Sequence, residues 1–567
     1  MLLTWPKVLV PGAAALILCT SANPAQNPHP PGNAKINDVV QRFYEPTEAD
    51  REQIDGLSHP AIEARIARTK RFLAELDAIS VRGLEVADSV DHEYFRNQLD
   101  SSLHHLEVLR RWENDPSMYL PFGEFYRPSV DPSLGDTQRV EAMVRGFEQA
   151  PVRFQWGKEN LKNPPLLWTE EAIKQCDGIQ HFLDFMVPRI AEKSPELKLR
   201  LMRAAQDFGA HLAEYRTFLD RELRTRSTGS YVVGKANYER LLKNRSMHYD
   251  IVELVELGRT EHEETRRLLE ETARQIDPGK TWTEIFQENW LDFPAPWDLH
   301  RYLQQEAERA RKLVYEKLVN VPEGSREEYR YIDAGHYRNR SRMGYGAGVG
   351  FRNGGTYATY YDLPSTAQYE NLQDKIDLML DWNRGWILGT QISHEVYPGH
   401  HFQGFMASHN KRPARALTRN GLFTDVNSAW GEGWGVYCEE LMHEYGYHQG
   451  NLRIRLTQLQ NRFWRTARVI IDPSLHTGDM TYDEAVAVFM DAGLPEGGAK
   501  LEATVVTRSP TREASYYIGS LEVRRLVDEA RKLAGDRFDL KEFHTRLLLL
   551  GATPPALARK EVLNVAN

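Results

Sequence analysis

The sequence predicts a mainly α-helical protein with one small β-element placed ahead of a histidine-rich helix. Three observations carry that prediction. Apolar residues recur at helical spacing through most of the first 320 residues. Proline-bearing breaks at Pro116, Pro121, Pro164, Pro165 and Pro294 separate those runs, as the turns of a helical bundle require. Between Tyr329 and Leu363 the texture changes, with Gly344, Gly346, Gly348, Gly350, Gly354 and Gly355 set among Tyr and Val and followed by Thr356-Tyr-Ala-Thr-Tyr-Tyr-Asp362.

Taken in chain order, Lys7, the apolar run Val8 to Cys19 and the small residues Ser21, Ala22 and Ala25 have the layout of a secretory signal over residues 1–25, too short to span a bilayer. Its removal would change the formal charge from −9 to −10, since Lys7 is the one charge it carries. Lipid attachment through Cys19 is the weaker alternative, because Leu18 stands where a small residue is expected. Residues 26–35, rich in Pro and Asn, read as a disordered leader, with order beginning near Ile36. Helices follow around Ile62 to Leu76, Leu99 to Leu109, Leu197 to Leu223, Ile251 to Ile276 and Leu299 to Leu318, so that residues 36–325 form an N-terminal helical lobe. Residues 326–567 form a C-terminal half that begins with the β-element, resumes helix at Thr366 and holds the candidate site.

Bulk properties narrow the possibilities. With 71 Lys plus Arg against 80 Asp plus Glu, the chain offers no basic footprint for nucleic acid or anionic lipid. After removal of the signal only Cys176 and Cys438 remain, which is no disulfide framework. The glycine-rich stretch lacks the preceding hydrophobic strand and the Lys-Ser/Thr pair of a phosphate loop, and suits an edge strand beside a cleft, or an ordinary hairpin.

The densest chemical signal is Ser393-His-Glu-Val-Tyr-Pro-Gly-His-His-Phe-Gln403. Its His394-Glu395 pair opens like the zinc motif His-Glu-x-x-His, but Pro398 occupies the second histidine position and the next candidates are His400 and His401. On a straight helix His394 and His400 would lie roughly 9 Å apart, at about 1.5 Å per residue. One zinc with bonds of about 2.1 Å cannot bridge that. Either no zinc binds, or the helix breaks at Pro398-Gly399. A third ligand has a natural source in Glu432, which opens a helical pattern between Trp430 and Trp434. Glu439 falls on the same face two turns later and could orient a ligand histidine, although a solvated helix face explains Glu439 and Glu440 equally well. His104, His105, His409 and His443 read as surface or packing residues.

The chain resembles the bacterial domain-of-unknown-function-885 proteins, which are themselves similar to glutamate-zincin metallopeptidases. The matching motifs are His394 to Gln403, Glu432 to Glu439, Arg468 to His476, Pro510 to Gly519, and Phe543-His544 with Leu548 to Gly551. The resemblance implies a two-lobed metallopeptidase-like fold with a central cleft, one zinc ion on His394, His400 and Glu432, and Glu395 as the general base. It favours His400 over His401, since relatives carry Tyr at the latter position. It also offers Tyr516 and His476 as donors to the oxyanion, a contact commonly worth about 3 to 4 kcal/mol; packing of Tyr516, or capping by His476 of a turn after Asp472-Pro473, would explain them without catalysis. Arg468 and Asp472 fit a structural ion pair equally well. Three departures stand out, Val505-Val506 in place of Arg-Tyr, Thr511-Arg512-Glu513 in place of Gly-Gln-Ala and Gly435 in place of Ala.

These residues together predict an exported zinc metallopeptidase acting on small peptides, periplasmic or extracellular, with no nucleic-acid partner and no membrane span in the mature chain. The cut position and oligomeric state are left open. The alternatives are a zinc hydrolase of non-peptide amides or esters, a noncatalytic exported protein that keeps zinc as a brace, and a different divalent metal such as iron on the same ligands.

Overall fold

The structure is a computed structural model and describes residues 32–131, 134–333, 351–353, 356–363, 380, 382–416 and 426–563. It is mainly helical. The signal expected at residues 1–25 and the expected leader up to residue 31 lie outside the described residues. Order begins earlier than Ile36: the helix Ala34–Tyr44 starts at once after Asn33, whose side chain accepts from the Lys35 and Ile36 N–H groups. An asparagine that reads as leader is thus a helix cap, and Ile36, Val39 and Val40 behind it pack on Phe72, Leu76, Phe95 and Leu99.

The helical periodicities hold. His59–Asp77 starts at the Ser58 cap with Pro60 in its first turn, Ile251–Ile276 opens with an Asp250/Glu253 capping box, and Leu299–Lys317 occupies the last predicted run. Two of the runs finish in wider π-helical turns, His104–Leu109 after Val86–Leu103 and Leu219–Leu223 after Lys198–Phe218. A repeat of apolar residues cannot announce that change, because the buried face continues through it.

The expected divide between lobes at residues 325/326 does not coincide with a divide between cores. One apolar core runs from Leu57 to Leu223 and is rich in aromatics, with the Phe125 ring in contact with those of Phe147, Phe182 and Phe208. The helices Ile251–Ile276 and Leu299–Lys317, placed by sequence in the N-terminal lobe, bury their apolar faces against C-terminal elements: Leu269 joins Leu459 and Phe463, Leu254 joins Val436 and Val469, and Leu303 joins Ile392 and Trp434. A stripe of apolar residues shows that a helix is buried, not against which neighbour. Buried ion pairs from Arg412 to Asp88 and Asp91, and from Arg415 to Asp91, fasten the first helices to the C-terminal half.

The β-element is present as a three-stranded sheet. β1 (Arg326–Asp333) pairs parallel with β3 (Thr356–Leu363), and β2 (Phe351–Asn353) pairs antiparallel on the other side of β3. Gly344, Gly346, Gly348, Gly350, Gly354 and Gly355, and the helix expected to resume at Thr366, fall outside the described residues up to residue 379. Cys176 and Cys438 are both free and buried in different cores. No helix among the described residues is long and apolar enough to cross a membrane.

Helix crossings around the site depend on absent side chains. Ser428–Glu444 and Arg512–Ala534 meet at Gly433 and Gly519; a Cβ on Gly519 would lie 2.0 Å from the Ala429 carbonyl oxygen and one on Gly433 would lie 2.5 Å from the Gly519 Cα. Both positions therefore admit only glycine at this separation.

Candidate metal centre

His394 and Glu395 lie near the end of a π-helical stretch, Ile387–Val396, and not on the regular helix that periodicity suggests. The helix stops at Val396, Tyr397 is extended, and a new helix, His400–Ala407, starts after Gly399. The break falls at Pro398-Gly399, so His400 folds back towards His394 and their ring centroids are 4.7 Å apart. Gly399 makes this possible: a Cβ there would meet the His394 carbonyl oxygen at 1.8 Å. The Trp434 indole donates to the Pro398 carbonyl at 2.8 Å and the Gln403 amide to the Trp430 carbonyl at 3.1 Å, which ties the break to the helix Ser428–Glu444.

That helix delivers Glu432. Its Oε2 is 3.2 Å from His400 Nε2 and 3.6 Å from His394 Nε2. One donor atom from each of the three residues falls within 4.8 Å of the others, the one such group among the described residues. Glu439, two turns on, accepts from His394 Nδ1 at 2.8 Å and is held by Arg465 at 2.9 Å. It is buried and paired, not a solvated charge, and by occupying Nδ1 it turns Nε2 towards Glu432. Glu440 is likewise paired, with Arg455, and its carboxyl is lowered to about 2 by that guanidinium against the opposing effect of burial. Gly435 lies beneath the imidazole of His394, where a Cβ would come within 2.7 Å of Cε1.

The electrostatics couple His394 to Glu432. Burial works against a charge on His394, yet the carboxylates of Glu432 and Glu439 raise it to about 9. Burial likewise opposes ionisation of Glu432, but the two histidines and Arg512 hold it well below the usual carboxylate range. The raised proton affinity of His394 answers the charge of the carboxylates, and a divalent cation would serve the same end while using the nitrogen lone pairs. Two imidazole nitrogens, one carboxylate oxygen and a buried acid behind the first histidine form a donor set that fits zinc.

Glu395 differs from its neighbours. Its half-buried carboxylate has no hydrogen bond or ion pair among the described residues. Burial raises its pKa, helped by the charge of Glu432 and opposed by His400 and His394. An unpaired carboxylate whose proton affinity is raised beside such a cluster can take a proton from water. His401, by contrast, points away. Its Nε2 meets Glu327 Oε2 of β1 at 2.8 Å, and the same carboxylate accepts from Tyr315 and Tyr397.

Of the two proposed oxyanion donors, Tyr516 lies beside Arg512, whose guanidinium is 5.7 Å from its ring and also reaches Glu432. Tyr516 is half-buried and its hydroxyl has no hydrogen bond among the described residues. Burial keeps the phenol protonated, and the charge of Glu432 adds to that effect. His476 is not available. It is fully buried, with Nε2 2.9 Å from the Val506 carbonyl oxygen and Nδ1 3.2 Å from that of Tyr231, and burial lowers it to about 4. Nor does it cap a turn, since Pro473 lies inside the continuous helix Leu452–Thr477.

Arg468, Asp472 and His476 stand at four-residue steps on one face of that helix and together clasp the segment 502–514. Arg468 binds Glu502 at 2.6 Å and Glu513 at 3.1 Å, Asp472 accepts from the Thr511 and Ala514 N–H groups, and His476 meets Val506. Arg468 and Asp472 are therefore not partners of each other. His544 of the last motif is structural too, bridging the Tyr437 hydroxyl and the Leu318 carbonyl.

Three residues around the centre escaped sequence reasoning. Arg465 orients Glu439, Glu327 fixes His401, and Arg512 reaches Glu432 at 3.4 Å. Arg512 alone had a visible signal, as one of the departures from the motif pattern.

Comparison with known proteins agrees with the motifs. The chain belongs to the family described as bacterial protein of unknown function, DUF885, which matches residues 43–562. No curated protein matches it. A protein from Shewanella oneidensis, described as a candidate lipoprotein of unknown function, has a similar solved structure with TM-score 0.69 and 19% identity, covering 92% of this chain and 96% of its own. A candidate lipoprotein from Colwellia psychrerythraea gives TM-score 0.72 at 16% identity, covering 94% of this chain and 98% of its own. At these identities the likeness concerns the fold.

Proposed function

We propose that this member of the family is an exported zinc metallopeptidase that hydrolyses small peptides, with Glu395 as general base. The observation that carries the reading is the pairing of a three-donor set, His394, His400 and Glu432, with an adjacent carboxylate that has no partner of its own among the described residues. A structural zinc site closes its coordination with protein ligands and has no use for such a base. The cation would supply charge that polarises a scissile carbonyl and makes water easier to deprotonate.

The chain's own residues account for the rest. Glu395 takes the proton of the attacking water and hands it to the leaving amine, which the raised proton affinity of a half-buried carboxylate favours. Tyr516, protonated and without a hydrogen-bonded partner among the described residues, donates to the oxygen that gains charge. Glu439 and Arg465 keep His394 turned towards Glu432. Export rests on the signal-like residues 1–25 and on the description of both structural neighbours as candidate lipoproteins, which also gives weight to lipid attachment through Cys19.

The test is Glu395→Gln assayed against wild type on a mixed peptide pool and on small amides and esters, with metal content measured in both. Peptide hydrolysis in wild type and its loss in the variant, at equal metal content, supports the reading. Turnover of esters or amides alone would replace the substrate class, and unchanged hydrolysis in the variant would exclude the mechanism.

A further inference from the structure

We propose that Arg512 is a positioning residue that reserves a single oxygen of Glu432 for the cation, a role that rests on the metal-centre reading above. The two oxygens of Glu432 have different company. Oε2 faces His400 Nε2 and His394 Nε2, whereas Oε1 faces Arg512 Nη2 at 3.4 Å. Carboxylates bind divalent ions through one oxygen or through both. A guanidinium on Oε1 engages its lone pairs and repels a second cation there, so the ion is left with Oε2 and the two imidazoles. Three protein ligands and a free position are what hydrolysis needs.

Arg512 is itself held from behind. Its Nη1 binds Glu513 Oε1 at 3.0 Å, and Glu513 Oε2 binds Arg468, which continues to Glu502. The preceding Thr511 takes a left-handed backbone with φ of 69°, and its N–H and that of Ala514 are accepted by Asp472 at 3.0 and 2.9 Å. The clasp on the helix Leu452–Thr477 therefore has a purpose beyond packing: it sets the position of the one guanidinium that reaches Glu432 among the described residues. A planar fork can hold Glu432 and Glu513 at once, which the single ammonium of Lys does less well.

The test uses the full chain, stripped of metal and titrated with cobalt(II), comparing wild type with Arg512→Gln and Arg512→Lys. Visible absorption reads the coordination of the ion, chelator competition reads its affinity, and thermal unfolding reports the fold separately. The expected result is intense absorption for wild type, a several-fold weaker band for Arg512→Gln as the second carboxylate oxygen joins the ion, and partial recovery in Arg512→Lys, which keeps a charge beside both carboxylates. A spectrum of Arg512→Gln that superimposes on wild type would overturn the proposal, whatever its thermal stability. The same spectrum with a raised KM confined to peptides with a free C-terminal carboxylate would make Arg512 a substrate anchor instead, and would overturn it too. Should Arg512→Gln not fold, a wild-type spectrum and affinity in Arg512→Lys together with an unaltered kcat would reject the role and reduced values would uphold it. Wild type that takes up no cobalt would bring down the metal reading itself, an outcome distinct from all of these.

Discussion

Two of the places where a histidine is buried beside a carboxylate behave oppositely. At the centre, His394 is raised to about 9 despite its burial, and Glu432 is held well below the carboxylate range. In the clasp, burial lowers His476 to about 4 and raises Asp472 to about 7. The difference lies in the partners. His476 and Asp472 face main-chain carbonyl and N–H groups that need no charge in return. His394 and His400 face the Glu432 carboxylate, so a charge on His394 is met by an opposite one. The clasp holds segments together, and the centre has the composition of a cation site.

The contrast is broken most directly by truncating one histidine from each place. His394→Ala should lower metal affinity by more than the 10–100-fold typical of a supporting partner, whereas His476→Ala should leave metal stoichiometry intact and cost stability instead; equilibrium dialysis and thermal unfolding separate the two. Equal metal loss in both variants would erase the distinction.

Next in size, Glu395→Gln should reduce kcat by about 10²–10⁴-fold at unchanged metal content, the range of a positioned general base. Steady-state kinetics alongside metal analysis checks it. Glu439→Gln follows, with metal affinity down by about 10–100-fold through loss of the carboxylate that orients His394, measured by chelator competition. Within the clasp, Asp472→Ala leaves the Thr511 and Ala514 N–H groups buried without an acceptor, at about 1–3 kcal/mol each, seen as a fall in unfolding midpoint.

The smallest effect is on pH dependence. Burial lowers His544 to about 4 in the folded chain, against about 6.5 unfolded. The unfolded chain thus binds more protons between those values, so this contribution is full above about pH 6.5 and is lost as pH falls towards 4. Replacing His544 by Phe should remove up to one proton from the uptake on unfolding in that window, which is read from the slope of stability against pH. A slope that does not change would deny that His544 is held neutral.

How much of this could be read in advance follows from what a local pattern encodes. The runs Ile62 to Leu76 and Ile251 to Ile276 gave their helices because an apolar face repeats at helical spacing. The same repeat could not say that Ile251–Ile276 packs on Leu452–Thr477, nor that the chain turns to π-helix at Ile387. That His394, His400 and Glu432 could come together was legible because a candidate metal site demands particular residue types, and the break at Pro398-Gly399 because those two residues end helices. His476 was misread for an instructive reason. Arg468, Asp472 and His476 share a helix face, but spacing does not tell whether that face looks into a site or onto segment 502–514. Glu327 and Arg512 meet the centre from 74 and 80 residues away in sequence, beyond the reach of any motif.

Diffraction at the zinc absorption edge, from crystals grown with one equivalent of zinc, tests the central claim most directly. A single anomalous peak bounded by His394 Nε2, His400 Nε2 and Glu432 Oε2 is the predicted result. A peak at His401 and Glu327, at His476, or at none of these histidines would contradict it.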